Sequence, residues 1–158
     1  MSANKTLVLL GVYVEDAVAT ARDYEERLSM RRIAEHFIRT ESATSECIIM
    51  AGSDEPPWVV IFSGQGKESI AARIVAERGV GLHRLVYLTA EYDRDLAWLR
   101  GRNLGRDGLV TLADQSSLRR VSAPLSELGV IVDLVEKPGT EHWLMPLLRS
   151  LGCDAHYG

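Results

Sequence analysis

The stretch ESIAARIVAERGVGLHRLVYLT, residues 68–89, changes period in the middle. Over 67–77 the apolar residues recur at helical spacing, and Gly79 follows where a helix commonly ends on a left-handed residue. From Gly81 the run GLHRLVYLT is β-forming, with residues 84, 86 and 88 on one face and 83, 85 and 87 on the other. Helical period then returns, with Tyr92, Leu96 and Leu99 on one face of 90–103. Three further strand-like segments follow: GLVTLAD (108–114), SLRRVSAP (117–124) and GVIVDLVE (129–136). From Gly81 onward the chain therefore reads β-α-β-β-β.

The same order stands before residue 65. TLVLLGVYV (6–14) is an apolar strand, and 15–30 turns helical with Ala17, Ala21, Tyr24 and Leu28 on one side. RRIAEHFIRT (31–40), SECIIM (45–50) and WVVIFSG (58–64) complete a first β-α-β-β-β unit. Leu9 aligns with Arg84 and Ile61 with Asp133, offsets of 75 and 72 residues that approach half of the 158. The pattern predicts one α+β domain over 1–158: a first βαβββ module at 6–64, a linking helix at 65–80, a second module at 81–137, and a helical tail at 138–158. Trp143, Leu144, Leu147, Leu148 and Leu151 fall at helical spacing in that tail, which predicts a helix covering the core or a subunit contact.

Composition narrows the functional classes. Hydrophobic residues at 46% and charged residues at 25% are ordinary for a globular chain and exclude disordered or fibrous architecture. Eighteen basic against 22 acidic residues give a net charge of −4, the wrong sign for nucleic-acid binding through the overall field. Cys47 and Cys153 are too few for a disulfide framework and are read as reduced thiols. The apolar run at the start meets Glu15 and Asp16 before any cleavage site, so neither a signal peptide nor a membrane span is expected, and the expected location is cytoplasmic. His36, His142 and His156 show no metal-ligand spacing and are read as surface or structural residues.

Three stretches carry a resemblance. Residues 68–89 are similar to the helix, Gly turn and GLHH strand of methylmalonyl-CoA epimerases; SLRRVSAPLSELGVIVDLVEKP (117–138) resembles their closing strand pair. VYVEDAVATARDYEERLSM (12–30) resembles the opening of the wider vicinal-oxygen-chelate superfamily of glyoxalases, extradiol dioxygenases and bleomycin-resistance proteins. The likeness spans about residues 7–137 and implies two βαβββ modules curled into a shared cup, with homodimers common. Metal-dependent members hold a divalent ion there with four side chains. By the resemblance, those places fall on Leu9, Ile61, Arg84 and Asp133, where only Asp133 is a ligand type, so no metal and no other cofactor is expected.

Strand alternation then gives the cup an expected lining of Leu9, Gly11, Tyr13, Val59, Ile61 and Ser63 from the first module. The second supplies Arg84, Val86, Leu88, Ile131, Asp133 and Val135, and His83 is expected on the opposite face. An Arg84–Asp133 ion pair is expected in the metal's place. The catalytic candidates are Arg84, Asp133, Tyr13 and, by resemblance to the epimerases' second carboxylate, Glu46. Two function classes follow: a metal-independent isomerase, epimerase, cyclase or lyase moving a proton beside a carbonyl or acyl thioester, or a non-catalytic small-molecule binder of the bleomycin-resistance type. The partner expected in either class is a small organic molecule, with no nucleic acid and no membrane.

Overall fold

The computed structural model describes residues 4–104, 106–111, 117–123, 129–138 and 143–154. Its first half runs β1 (Lys5–Tyr13), α1 (Ala17–Leu28), β2 (Arg31–Arg39), β3 (Thr44–Ala51) and β4 (Trp58–Gln65). After α2 (Ile70–Arg78), the second half repeats the order as β5 (Gly81–Thr89), α3 (Tyr92–Arg100), β6 (Arg106–Thr111), β7 (Ser117–Ala123) and β8 (Ile131–Glu136). α4 (Leu144–Asp154) follows. The helices begin and end on local chemistry. Asp16 accepts from the Ala19 amide at the start of α1, Ser69 accepts from the Ala72 amide at the start of α2, and Gly79 ends α2 at φ 82°.

The eight described strands form one sheet in the order β2-β3-β4-β1-β5-β8-β7-β6. β1 and β5 meet antiparallel at the centre, and each runs parallel to the last strand of its own module, β4 or β8. The sheet curls, so one face is wrapped outward and the other inward. α1 covers the outer face of the first module against Val12, Ile48, Met50, Val59 and Ile61. α3 covers the outer face of the second against Tyr87, Val121, Val132 and Leu134. On the inner face, Leu9, Cys47, Val60, Phe62, Val86 and Val135 join one apolar cluster with residues of α2 and α4.

This register corrects part of the expected lining. β1 pairs with β4 as Leu9↔Trp58, Gly11↔Val60 and Tyr13↔Phe62, so Val60 and Phe62 share the inner face with Leu9 and Tyr13. Val59 and Ile61 instead pack against α1. Ser63 also points that way, its hydroxyl accepting from the Ala17 amide at 3.0 Å. The expectation slipped by one residue, and with a period of two that turns a whole strand over. His83 is corrected for another reason: a bulge in β5 lies between the pairs Gly11↔Arg84 and Val12↔Leu82, which breaks the alternation. Its ring stands 6.0 Å from that of Tyr13, and its Nε2 donates to the Gly79 carbonyl oxygen at 2.9 Å. His142 and His156 lie outside the described residues.

Candidate active site

The polar centre of the inner face is built around Asp133, which has no exposed surface. β7 pairs with β8 as Ser122↔Asp133 and Arg120↔Val135, so Arg120 and Ser122 stand on the same face as Asp133. Arg120 reaches Oδ1 at 3.0 Å and also donates to the Ser122 hydroxyl, which in turn donates to Oδ1. From the next strand, Arg84 brings Nε to 2.6 Å from Oδ2. That N–H is not aimed along the line of contact, so the approach is a charge contact, not an aligned hydrogen bond. A second guanidinium nitrogen of Arg84 donates to the Tyr13 hydroxyl at 3.2 Å. Two guanidiniums thus grip one carboxylate from opposite ends, all three at most 5% exposed.

Apolar residues shape the rest. Tyr13 stacks on Phe62 with ring centroids 4.8 Å apart, and the Arg84 guanidinium carbon lies 5.6 Å from the Phe62 centroid. Gly11 makes room for this packing, because a Cβ there would come within 2.6 Å of the Arg84 Cβ and 3.2 Å of the Phe62 ring. Val86 and Val135 are fully buried on the same face, with Leu88 and Ile131 packed at their edge.

The structure therefore brings Arg84, Asp133 and Tyr13 together and leaves Glu46 out. Glu46 pairs across the ladder with Ser63 and accepts from its hydroxyl at 3.0 Å, on the side where α1 begins. The sheet itself separates it from Asp133. Sequence reading missed Arg120 and Ser122. The alternation of Leu118, Arg120 and Ser122 in SLRRVSAP was visible, but only the register with β8 says which face they share.

The pairings also fix how the two modules correspond. Arg84 occupies in β5 the place of Leu9 in β1, since the pairs Gly11↔Arg84 and Leu9↔Val86 exchange under the twofold. With Gly11↔Val60 matching Val86↔Asp133, the residue equivalent to Asp133 is Val60, an offset of 73, not 72. In the same way Cys47 answers to Arg120 and Ile49 to Ser122. The four places implied for a divalent ion hold Leu9, Val60, Arg84 and Asp133. These residues do not fit a metal: the single carboxylate is already in contact with a guanidinium, and a guanidinium repels a cation. Among the described residues no three His, Cys, Asp or Glu side chains converge.

No protein-family model and no curated protein matches the chain by sequence. Solved structures do match. A selenomethionine methylmalonyl-CoA epimerase superposes with a TM-score of 0.65 at 19% identity, covering 87% of this chain and 99% of its own. The chain has the vicinal-oxygen-chelate fold. Methylmalonyl-CoA epimerase from Mycobacterium tuberculosis matches with a TM-score of 0.64 at 19% identity, over 84% of this chain and 87% of that one. A mutant 4-hydroxymandelate synthase from Streptomyces coelicolor reaches 0.68 at 11% identity, over 96% of this chain and 55% of the synthase. Such identities speak for the fold alone. Among the described residues no helix is long and apolar enough to cross a membrane.

Proposed function

We propose that the chain transfers a proton on a small, largely apolar carbonyl compound or acyl thioester, without a metal. The observation that carries this reading is the Arg84–Asp133 contact at the centre of the cup, supported on either side by Arg120 and Tyr13. Burying ionic groups is a poor source of stability, which favours a chemical reason for keeping them. In the proposed step the substrate carbonyl oxygen takes the Arg84 guanidinium as its partner in exchange for Oδ2. Asp133 Oδ2 then removes the proton from the adjacent carbon, and the electron pair of the broken C–H bond moves onto the carbonyl oxygen as an enolate. Arg84 stabilises that negative charge, with the Tyr13 hydroxyl beside it. Arg120 and Ser122 hold Oδ1 throughout, so Oδ2 is the oxygen that carries the proton. When water protonates that carbon on its opposite face and Asp133 gives its own proton up to the hydroxide left behind, the outcome is epimerisation; when a group on the next carbon departs with its bonding electron pair, the outcome is elimination. A homodimer belongs to the same proposal.

The test is solvent exchange. The full chain, kept in deuterium oxide with propionyl-CoA or acetoacetate, is expected to place deuterium beside the carbonyl, followed by mass spectrometry. Asp133→Asn should slow that exchange by about 10²-fold or more. A second reading, binding without chemistry, is favoured by one feature: both oxygens of Asp133 are already occupied. Tight binding with no exchange, unaltered by Asp133→Asn, would establish it in place of the first.

A further inference from the structure

The cup is closed by its own chain. α4 packs on β3 and on both β2 and β6, which are the two edges of the sheet, so it lies across the inner face from one rim to the other. Leu147, Leu148 and Leu151 have no exposed surface and share one apolar cluster with Leu9, Cys47, Val86 and Val135 of the cup wall. Asp133 has no exposure either, and Arg84 and Arg120 have 4% and 5%. A molecule can reach Oδ2 only after a covering element moves.

Among the described residues, the covering elements differ in what holds them. α1 and α3 sit on the outer face and do not bar the way. α2 is anchored at both ends, running from β4 to β5. α4 belongs to neither βαβββ module, and no rung of the strand ladders passes through it. Its buried face is a row of leucines, which make non-directional contacts that separate and re-form without a defined geometry. Its other face carries Arg149 at the surface.

We infer that α4 is a displaceable lid: it occupies the cup in the resting protein and leaves the inner face as a unit to admit the substrate. This rests on the proposed reading of the Arg84–Asp133 site, but it is tested without any substrate. Cys47, fully buried in the cup wall on β3, reports the opening. The full chain is treated with iodoacetamide in dilute urea, well below its unfolding midpoint, and alkylation at Cys47 is located by mass spectrometry. A lid predicts labelling whose rate barely rises with urea, because little surface is exposed in the opening. It also predicts that Leu148→Ala raises that rate at least about ten-fold more than Ile61→Ala, a truncation on the α1 side. Labelling that climbs with the full urea dependence of global unfolding, or rises equally in both variants, would overturn the lid and make α4 fixed core. Should Leu148→Ala not fold, the urea dependence of the unaltered chain decides alone. A chain that opens locally yet exchanges no deuterium keeps the lid and loses the reaction; a chain that exchanges deuterium with α4 fixed does the reverse.

Discussion

Gly11 is the residue on which the site's geometry turns, because its missing side chain is what lets β1 and β5 approach where Arg84 and Phe62 meet. Gly11→Ala places a Cβ 2.6 Å from the Arg84 Cβ, which is fixed to the backbone and cannot swing aside. The expected loss is about 1–3 kcal/mol, typical of overpacking, read as a lower urea midpoint. Asp133→Ala should be worse, about 3–5 kcal/mol, since it leaves two guanidiniums buried around a space. At this scale the sequence was informative where a residue's type was out of place. An arginine in the apolar strand LHRLVYL and an aspartate in VIVDLVE announced themselves. Arg120 and Ser122 sit in a segment of mixed character, and nothing in it sets them apart from a solvated strand face until it is paired with β8.

Single elements carry their own tests. α1 ends on Ser29 at φ 54°, a conformation that a side chain disfavours, so Ser29→Gly is expected to be neutral or to stabilise by up to about 1 kcal/mol. β2 carries His36 opposite Cys47, and its pKa is lowered, first by burial and then by the charge of Arg149 on α4. A histidine whose folded pKa lies below its unfolded value opposes folding once it must be charged. Stability should therefore fall as pH drops below about 6.5 and level off below the folded pKa. His36→Gln should flatten that slope in urea titrations between pH 7.5 and 5. On the outer face, Arg119 ties β7 to α3 and β8 through Asp93 and Glu136, and lies over the Tyr92 ring at 4.6 Å. Those carboxylates raise its pKa, Asp93 foremost, so it stays charged throughout the same range. Element types and order were legible because the helices hold a helical period and the strands are short β-forming runs set off by Gly, Pro, Ser and Asp. The facing of β4 was not. WVVIFSG is apolar on both sides, being buried between α1 and the inner cluster, and a strand without alternation does not declare its register.

For the whole molecule, the two modules pose a comparison within one chain. Where the second has Arg84, Arg120, Ser122 and Asp133, the first has Leu9, Cys47, Ile49 and Val60, so one half already shows an apolar solution to the same packing problem. Replacing the quartet together, by Arg84→Leu, Arg120→Leu, Ser122→Ile and Asp133→Val, is expected to leave stability unchanged or raise it by about 1–4 kcal/mol. Under the proposed function it should also abolish deuterium exchange. Thermal melts beside the exchange assay check both halves of that expectation.

The central β1·β5 seam has a consequence for cutting the molecule. It is made of backbone ladders between the first strand of each half, and the covalent crossing from one half to the other passes only through the α2 region. α2 also rests on β4 and β1, so a break between Gly66 and Lys67 would leave it clasping the opposite fragment. Two separately expressed pieces, 1–66 and 67–158, should recognise each other and rebuild the cup between them, as a native gel of the mixture would display. The fold would then serve as a split protein, its halves reporting by reunion on whatever they are fused to.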